Sequence, residues 1–293
     1  MRVVFFVAGG DMGYLPLCAV AEQHEILAIV RPAYRGPRAR HLVRSMAEKV
    51  GLRKPDPIAQ WARARGIQIL QAWAGNDPEI ESQLKRLRPD LICIATFPML
   101  LSRNLFAIPE YGALNLHPSL LPRHRGPAPL FWIYYHDDRQ TGVTVHRVNE
   151  KADAGDILCQ DSFDLARGFN VDLLHRINAE RGASLLTRAV CAVESENPRG
   201  LPQNESLATP APRIKPGAPM VNFEMWDVER VWHFLAGLCP KFREPLRDQA
   251  GKQVKYEKVL GYERSVHHLS PGHLERSTEG WRLFCSGGLI RLN

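Results

Sequence analysis

Gly112-Ala113-Leu114-Asn115-Leu116-His117-Pro118-Ser119-Leu120-Leu121-Pro122-Arg123-His124-Arg125-Gly126 opens as a strand and closes as a loop. Side chains alternate along a strand, so Leu114 and Leu116 point to one face and Asn115 and His117 to the other. An amide and an imidazole therefore share one face at the strand's end. Pro118 and Pro122 remove ladder donors and stop the sheet. A polar pair at the C-terminal end of a strand, just before a Pro/Gly/Arg loop, is where open α/β sheets place ligands and chemistry.

Outward from this stretch, strand and helix patterns alternate. Residues 2–8 are a near-continuous apolar run closed by Gly9-Gly10, which predicts a buried parallel strand turning into a helix over 12–23. Gly9, Gly10 and Gly13 lack the G-x-G-x-x-G spacing, so they read as a plain strand-to-helix turn. Further strands are expected at 25–30, 67–70 and 91–95. Helices are expected near 38–50, at 57–66 and at 78–87, the last capped by Asp77 with Pro78 in its first position. A helix over 129–137 carries Trp132, Tyr134 and Tyr135 as packing residues. A strand over 141–148, a polar turn returning to a strand, and a helix over 171–193 complete the pattern. The fold class is α/β: a mostly parallel, doubly wound, Rossmann-like sheet covered on both faces. Residues 196–219 are rich in Pro, Asn and Gly and show no periodicity. The expected organisation is a catalytic domain over 1–200, a linker over 201–219, and a small β-rich, barrel-like domain over 220–293. That last domain has a helix at 228–238 and antiparallel strands at 251–256, 282–285 and 288–292.

Composition narrows the function classes. With 293 residues and 45% hydrophobic content, the chain can bury a sizeable core. No apolar run approaches the roughly 18 residues that span a bilayer. The apolar N-terminal stretch is too short for a signal peptide. Six scattered cysteines without Cys-x-x-Cys read as reduced thiols in a cytoplasmic protein. The net charge of +7 is concentrated in residues 31–54, where eight cations meet one acid, Glu48. Both a phosphate-facing surface and a solvated helix face fit that segment. His267, His268 and His273 have no carboxylate or cysteine at ligand spacing, so no metal is expected. Residues 97–101, Phe-Pro-Met-Leu-Leu, follow a parallel strand's C-terminal end, where they either wall a flat ligand's pocket or pack as core.

At Asn115-x-His117-x-Ser119-Leu120-Leu121-Pro122-x-x-Arg125-Gly126, and again at Asp153-Ala154-Gly155-Asp156-Ile157-Leu158, the sequence resembles the formyltransferases that use 10-formyltetrahydrofolate. The intervening Thr141-Gly142-Val143-Thr144 fits the same pattern. The resemblance covers roughly residues 1–200 and, more loosely, the C-terminal part. It implies that Asn115, His117 and Asp153 form a catalytic triad. It also implies that the co-substrate's pterin lies against Phe97, Met99 and Leu100 and the turn holding Asn149, Lys151 and Ala152. The acceptor is expected near Ser119, Arg123, Arg125 and Gly126, with Arg35 from the basic segment. Taken singly, Asn115 reads as a turn cap, His117 as a core histidine and Asp153 as an Asx-turn residue. The joint motif is what points to catalysis.

These residue types suit the chemistry. An amine attacking a formyl carbon creates a tetrahedral intermediate with a developing oxyanion. Asn115 and a protonated His117 can donate to that oxygen. Asp153 beside His117 would orient the ring and favour its cationic form, and could take the amine's proton.

The acceptor stays open. A small-molecule amine, such as an amino-sugar nucleotide or an amino-acid or siderophore-type amine, is the favoured reading. Initiator tRNA, as in methionyl-tRNA formyltransferase, is the alternative, and a formyl-folate-binding protein without turnover is a third. The basic segment at 31–54 resembles the tRNA enzyme's insertion loop. Against RNA stand Leu238-Cys239-Pro240-Lys241-Phe242-Arg243, where tRNA enzymes carry an Asn-Pro-Trp-Pro-like stretch, the chain's end at Asn293, and Trp132.

Overall fold

The computed structural model describes residues 1–33 and 56–293. The helix expected near 38–50, and Arg35, lie outside the described residues. In chain order the elements are β1 (Arg2–Val7), α1 (Asp11–Ala21), β2 (Glu25–Pro32), α2 (Pro57–Ala64), β3 (Gln68–Ala72), α3 (Pro78–Leu87), β4 (Leu91–Ala95), the short α4 (Arg103–Phe106) and β5 (Ala113–His117). There follow α5 (Pro129–Tyr135), β6 (Gln140–Arg147), β7 (Ile157–Asp164), α6 (Val171–Ser195), α7 (Val228–Leu238), β8 (Val259–Arg264), β9 (Leu274–Ser277), β10 (Gly280–Cys285) and β11 (Gly288–Leu292).

Strands β1 to β7 form one sheet of order β3-β2-β1-β4-β5-β6-β7. The pairs β1–β2, β1–β4, β2–β3 and β4–β5 are parallel, and β5–β6 is antiparallel. The strand order reverses between β1 and β4, which opens a crevice beyond their C-terminal ends. β1 forms because Val3 to Val7 are all buried, odd residues on one face and even residues on the other. Val3, Phe5 and Val7 join Leu114, Leu116, Leu185 and Leu186 in one core layer. Val4 and Phe6 join Ile92, Ile94 and Ala113 in the other. Asn115 and His117 continue the Ala113 face of β5 to the end of the strand. The helix starts follow the expected chemistry: the Asp77 carboxylate accepts from the Glu79 N–H at 3.0 Å, with Pro78 in the first turn.

The chain divides into two compact units. The first comprises Met1–Pro122, Val143–Asp161 and Asn178–Ala208; the second comprises Arg123–Gly142, Ser162–Ile177 and Thr209–Asn293. The second unit holds a four-stranded antiparallel sheet of order β8-β11-β10-β9. Its core is aromatic: the Phe131 ring meets Phe234 at 5.4 Å and Phe242 at 5.0 Å, both edge-on. The Trp132 indole donates to the Pro212 carbonyl at 2.8 Å, and the Tyr134 hydroxyl to the Phe169 carbonyl at 2.6 Å. Tyr135 stacks on Phe131, so these three aromatics pack as expected.

One expected strand, 251–256, does not form. The Asp248 carboxylate accepts from the Ala250 and Lys252 N–H groups, and the Val254 N–H donates to the Leu246 carbonyl, so the chain turns there. Val254 and Tyr256 are buried as core side chains off the sheet. The strand is β8, eight residues further on by its first residue, where Val259 to Arg264 pair with β11. No helix among the described residues is long and apolar enough to cross a membrane.

Candidate active site

The antiparallel pairing of β5 with β6 sets Asn115 opposite His146 and His117 opposite Thr144. Directly opposed residues project from the same face of a sheet. Asp153 comes from the turn between β6 and β7, with a left-handed φ of 50°. That conformation costs a non-glycine residue free energy and recurs at functional positions. The Asn115 Nδ2 donates to Asp153 Oδ1 at 3.2 Å and lies 3.0 Å from His146 Nε2. His117 Nδ1 is 3.6 Å from Asp153 Oδ2, and His146 Nε2 is 3.6 Å from Asp153 Oδ1. The imidazoles of His117 and His146 are almost wholly buried, while the Asp153 side chain keeps 16% exposure. The three residues expected to act together do meet, and their polar atoms interact in a low-dielectric setting that strengthens each contact.

His146 was not anticipated from the sequence. Its signal lay in the alternation of β6, where Thr144 and His146 share a face. Which face that is depends on the register with β5, a tertiary fact.

The Asp153 turn is held from several sides. The Gln203 side-chain amide donates to the Asp153 carbonyl at 2.9 Å and to the Gly155 carbonyl at 2.7 Å. The Arg147 N–H donates to the Asp156 carbonyl at 2.9 Å. Gly155 lies so close to β6 that a Cβ there would sit 1.8 Å from the Arg147 carbonyl oxygen. The Arg147 guanidinium donates to Asn197 Oδ1 at 2.7 Å and to the Pro198 carbonyl at 2.6 Å. Burial pushes the pKa of this guanidinium down. The loop after β5 is pinned in the same way. The Thr144 hydroxyl donates to the Ser119 carbonyl at 2.7 Å and accepts from the Leu121 N–H and the Gln160 side chain.

The six residues expected to face the donor divide. Phe97 turns its ring edge-on to Phe6 at 5.3 Å, and Asn149 uses its side-chain oxygen to accept from the Lys151 N–H at 2.9 Å. Lys151 and Ala152 are exposed at the turn, and Met99 is half-buried. Leu100 is 64% exposed and helps line a shallow depression of ≈ 260 Å³ with Gly75, Asn76, Ser102, Arg103 and Glu150.

The residues expected to face the acceptor fall in both units. Ser119 is fully buried in the first, where its carbonyl anchors the loop. Arg123, Arg125 and Gly126 belong to the second. There the Arg123 guanidinium meets Asp138 at 2.5 Å, and His124 Nε2 meets the other Asp138 oxygen at 2.6 Å. The Arg125 N–H donates to the Thr209 carbonyl at 2.8 Å. Arg31, at the start of the basic segment, ties the Ala8 carbonyl to Asp56. Among the described residues no group of three or more His, Cys, Asp or Glu could hold a metal ion.

Comparison with known proteins follows the same line. The sequence profile of the formyl transferase family matches residues 1–190. Methionyl-tRNA formyltransferase of Syntrophus aciditrophicus is 32% identical over 237 residues, covering 80% of this chain and 75% of that protein. The enzyme of the same name from Moorella thermoacetica is 33% identical over 241 residues, covering 82% and 74%. Among solved structures, an N-formyltransferase from Helicobacter canadensis with folinic acid and dTDP-3-aminofucose matches with a TM-score of 0.72 at 13% identity, over 99% of this chain and 97% of that one. HypX from Aquifex aeolicus, in complex with tetrahydrofolic acid, matches with a TM-score of 0.64 at 17% identity, over 100% of this chain and 43% of its own. At these identities the two structures share the fold with this chain.

Proposed function

The chain belongs to the formyl transferase family, and from that membership we propose that it transfers the formyl group of 10-formyltetrahydrofolate to the amine of a small molecule. The observation that carries the reaction is the convergence of Asn115, His117 and Asp153 at the end of β5. In the proposed step the acceptor's nitrogen lone pair forms a bond to the formyl carbon, and the carbonyl electrons move to oxygen. His117 and Asn115 stabilise that oxyanion; a preorganised donor of this kind contributes about 3 kcal/mol. Asp153 takes the amine's proton, directly or through one water. Collapse of the intermediate breaks the bond from the formyl carbon to the donor's nitrogen, which takes up the proton held by Asp153, directly or through the same water, as it leaves. No covalent enzyme intermediate and no metal enter this sequence.

The donor's fit rests on the Phe97–Leu100 loop, beyond the C-terminal end of β4, and on the turn before Asp153, whose Glu150 lines the same depression as Leu100. Exposed Leu100 offers apolar surface to a flat ring, and the turn's main chain offers polar edges. With six free cysteines, we place the protein in the reducing cytoplasm. The convergence of Asn115, His117 and Asp153 supports turnover over a binding role without it.

A small acceptor is favoured by the stretch 238–243. In the second unit Phe242 packs into the aromatic core and is engaged within the protein, while Lys241 sits half exposed in a surface pair with Asp172 at 2.6 Å. The second reading, a charged initiator tRNA, is favoured by the 32% and 33% identical relatives that bear that activity in their names. One experiment separates them: 10-formyltetrahydrofolate is offered with charged initiator tRNA, nucleotide-linked amino sugars, or N-hydroxyornithine. A formylated small amine and no tRNA turnover support the main reading. Formylated tRNA, with an affinity that falls steeply on a log–log plot against salt, overturns it.

A further inference from the structure

We propose that His146 is the positioning residue of this site: its Nε2 accepts from the Asn115 carboxamide and fixes where that amide aims its N–H groups, while the Arg147 main-chain carbonyl fixes the tautomer able to accept. The inference rests on the formyl-transfer reading of the site.

The proton positions follow from the neighbours. His146 Nδ1 lies 2.8 Å from the Arg147 carbonyl oxygen, which has no hydrogen to give, so Nδ1 carries one. The Asn115 atom 3.0 Å from Nε2 also lies 3.2 Å from an Asp153 carboxylate oxygen. An amide oxygen there would face a carboxylate oxygen, so the atom is the NH2 group. Nε2 must then accept, and the ring is neutral and protonated at Nδ1. This is the less favoured tautomer of free histidine, and here the carbonyl selects it.

Both Asn115 amide hydrogens are therefore engaged in the resting site, one on His146 and one on Asp153. The two bonds differ in what the reaction does to them. As the oxyanion develops it competes with the Asp153 carboxylate for that N–H, whose bond at 3.2 Å is the longer of the two, and the amide turns the N–H toward the oxyanion. The bond to His146 is untouched by that change and serves as the pivot. The mount is rigid: His146 is 2% exposed and opposes Asn115 in register. The Arg147 carbonyl is backed by Gly155, and its guanidinium is clamped on Asn197 and Pro198. Partners one step behind a reacting group commonly contribute about 10–100-fold when the group's direction matters.

Two measurements test this. Long-range proton–nitrogen spectra of histidine-labelled wild type should show one buried ring with Nδ1 protonated and Nε2 bare, and that resonance should vanish in His146→Leu. In kinetics, His146→Leu should lower kcat by about 10–100-fold with the donor's KM held within about 3-fold. His146→Gln, which returns an oxygen acceptor near the Nε2 position, should recover most of the loss. An Nε2-protonated ring at His146, wild-type kcat in His146→Leu, or no recovery in His146→Gln would overturn the proposal. The tautomer is read without turnover, so an inactive wild type overturns the formyl-transfer reading and leaves the positioning geometry to the spectra.

Discussion

At the scale of the residue, the central relation is between Asp153 and the side chains of Asn115 and His117. A carboxylate 3.6 Å from His117 and 3.2 Å from the Asn115 amide can hold a ring, hold an amide and accept a proton. These tasks separate on substitution. Asp153→Asn keeps the shape and an acceptor oxygen but cannot take the amine's proton. We expect kcat to fall about 10²–10³-fold with donor affinity retained, checked by steady-state kinetics and donor binding. His117→Ala should lose a similar factor through the oxyanion, with its melting temperature near that of the wild type. Activity close to wild type in either variant would remove the residue from the mechanism. Ser119 behaves differently. Its side chain is buried and its carbonyl anchors a loop, so it acts on the position of that loop.

At the scale of the element, the turn between β6 and β7 decides whether Asp153 arrives. Its Gly155 touches the backbone of β6, and an added methyl would meet the Arg147 carbonyl oxygen at 1.8 Å. Backbone cannot yield as a side chain tip can. Gly155→Ala should therefore destabilise the fold by about 1–3 kcal/mol, by the logic of overpacking. It should also lower kcat by displacing Asp153 and the Arg147 carbonyl together. A thermal melt and a rate measured well below the melting temperature check both; an unchanged rate in a stable variant would contradict the account. Much of this element's neighbourhood was legible in the sequence. β5 declares itself through period-two alternation stopped by prolines, and α3 through Asp77 and Pro78. The partner for His117 was legible only through resemblance, because nothing local links residue 153 to residue 117. His146 escaped because its facing depends on an antiparallel register that no local pattern encodes. β8 and β9 escaped because they are short edge strands: β9 is largely polar, and β8 ends in exposed Glu263 and Arg264. Stretch 251–256 misled because buried Val254 and Tyr256 look like a strand's inner face although they sit beside a turn.

At the scale of the whole molecule, pH acts on stability as well as on chemistry. In the second unit His233 is fully buried, stacks on Tyr134 at 4.9 Å and accepts the Gly168 N–H at 2.9 Å. Burial pulls its pKa down from 6.5 to about 4, with Asp137 pulling the other way and Arg139, Arg167 and Arg230 reinforcing the drop. The unfolded chain therefore binds the proton first as pH falls. Stability is full above about 6.5 and drains until about pH 4, a loss on the order of 3 kcal/mol. Glu244 acts in the opposite sense: burial raises its pKa, so its contribution is present at low pH and lost as pH rises through the folded value. Melting temperature against pH for wild type and His233→Gln isolates the first effect. The wild type should lose more stability than the variant between about pH 7 and pH 5, and parallel curves would contradict the assignment.

The account stands on formyl transfer at the β5 end, and one measurement meets it directly. Wild type and His117→Ala are each incubated with 10-formyltetrahydrofolate, its formyl carbon isotopically labelled, and with the three acceptor classes. The products are then read by mass spectrometry. The account predicts labelled amide on a small-molecule amine with the wild type, and about 10²–10³-fold less with His117→Ala. Label on none of the acceptors with the wild type, or equal transfer by the variant, would contradict it.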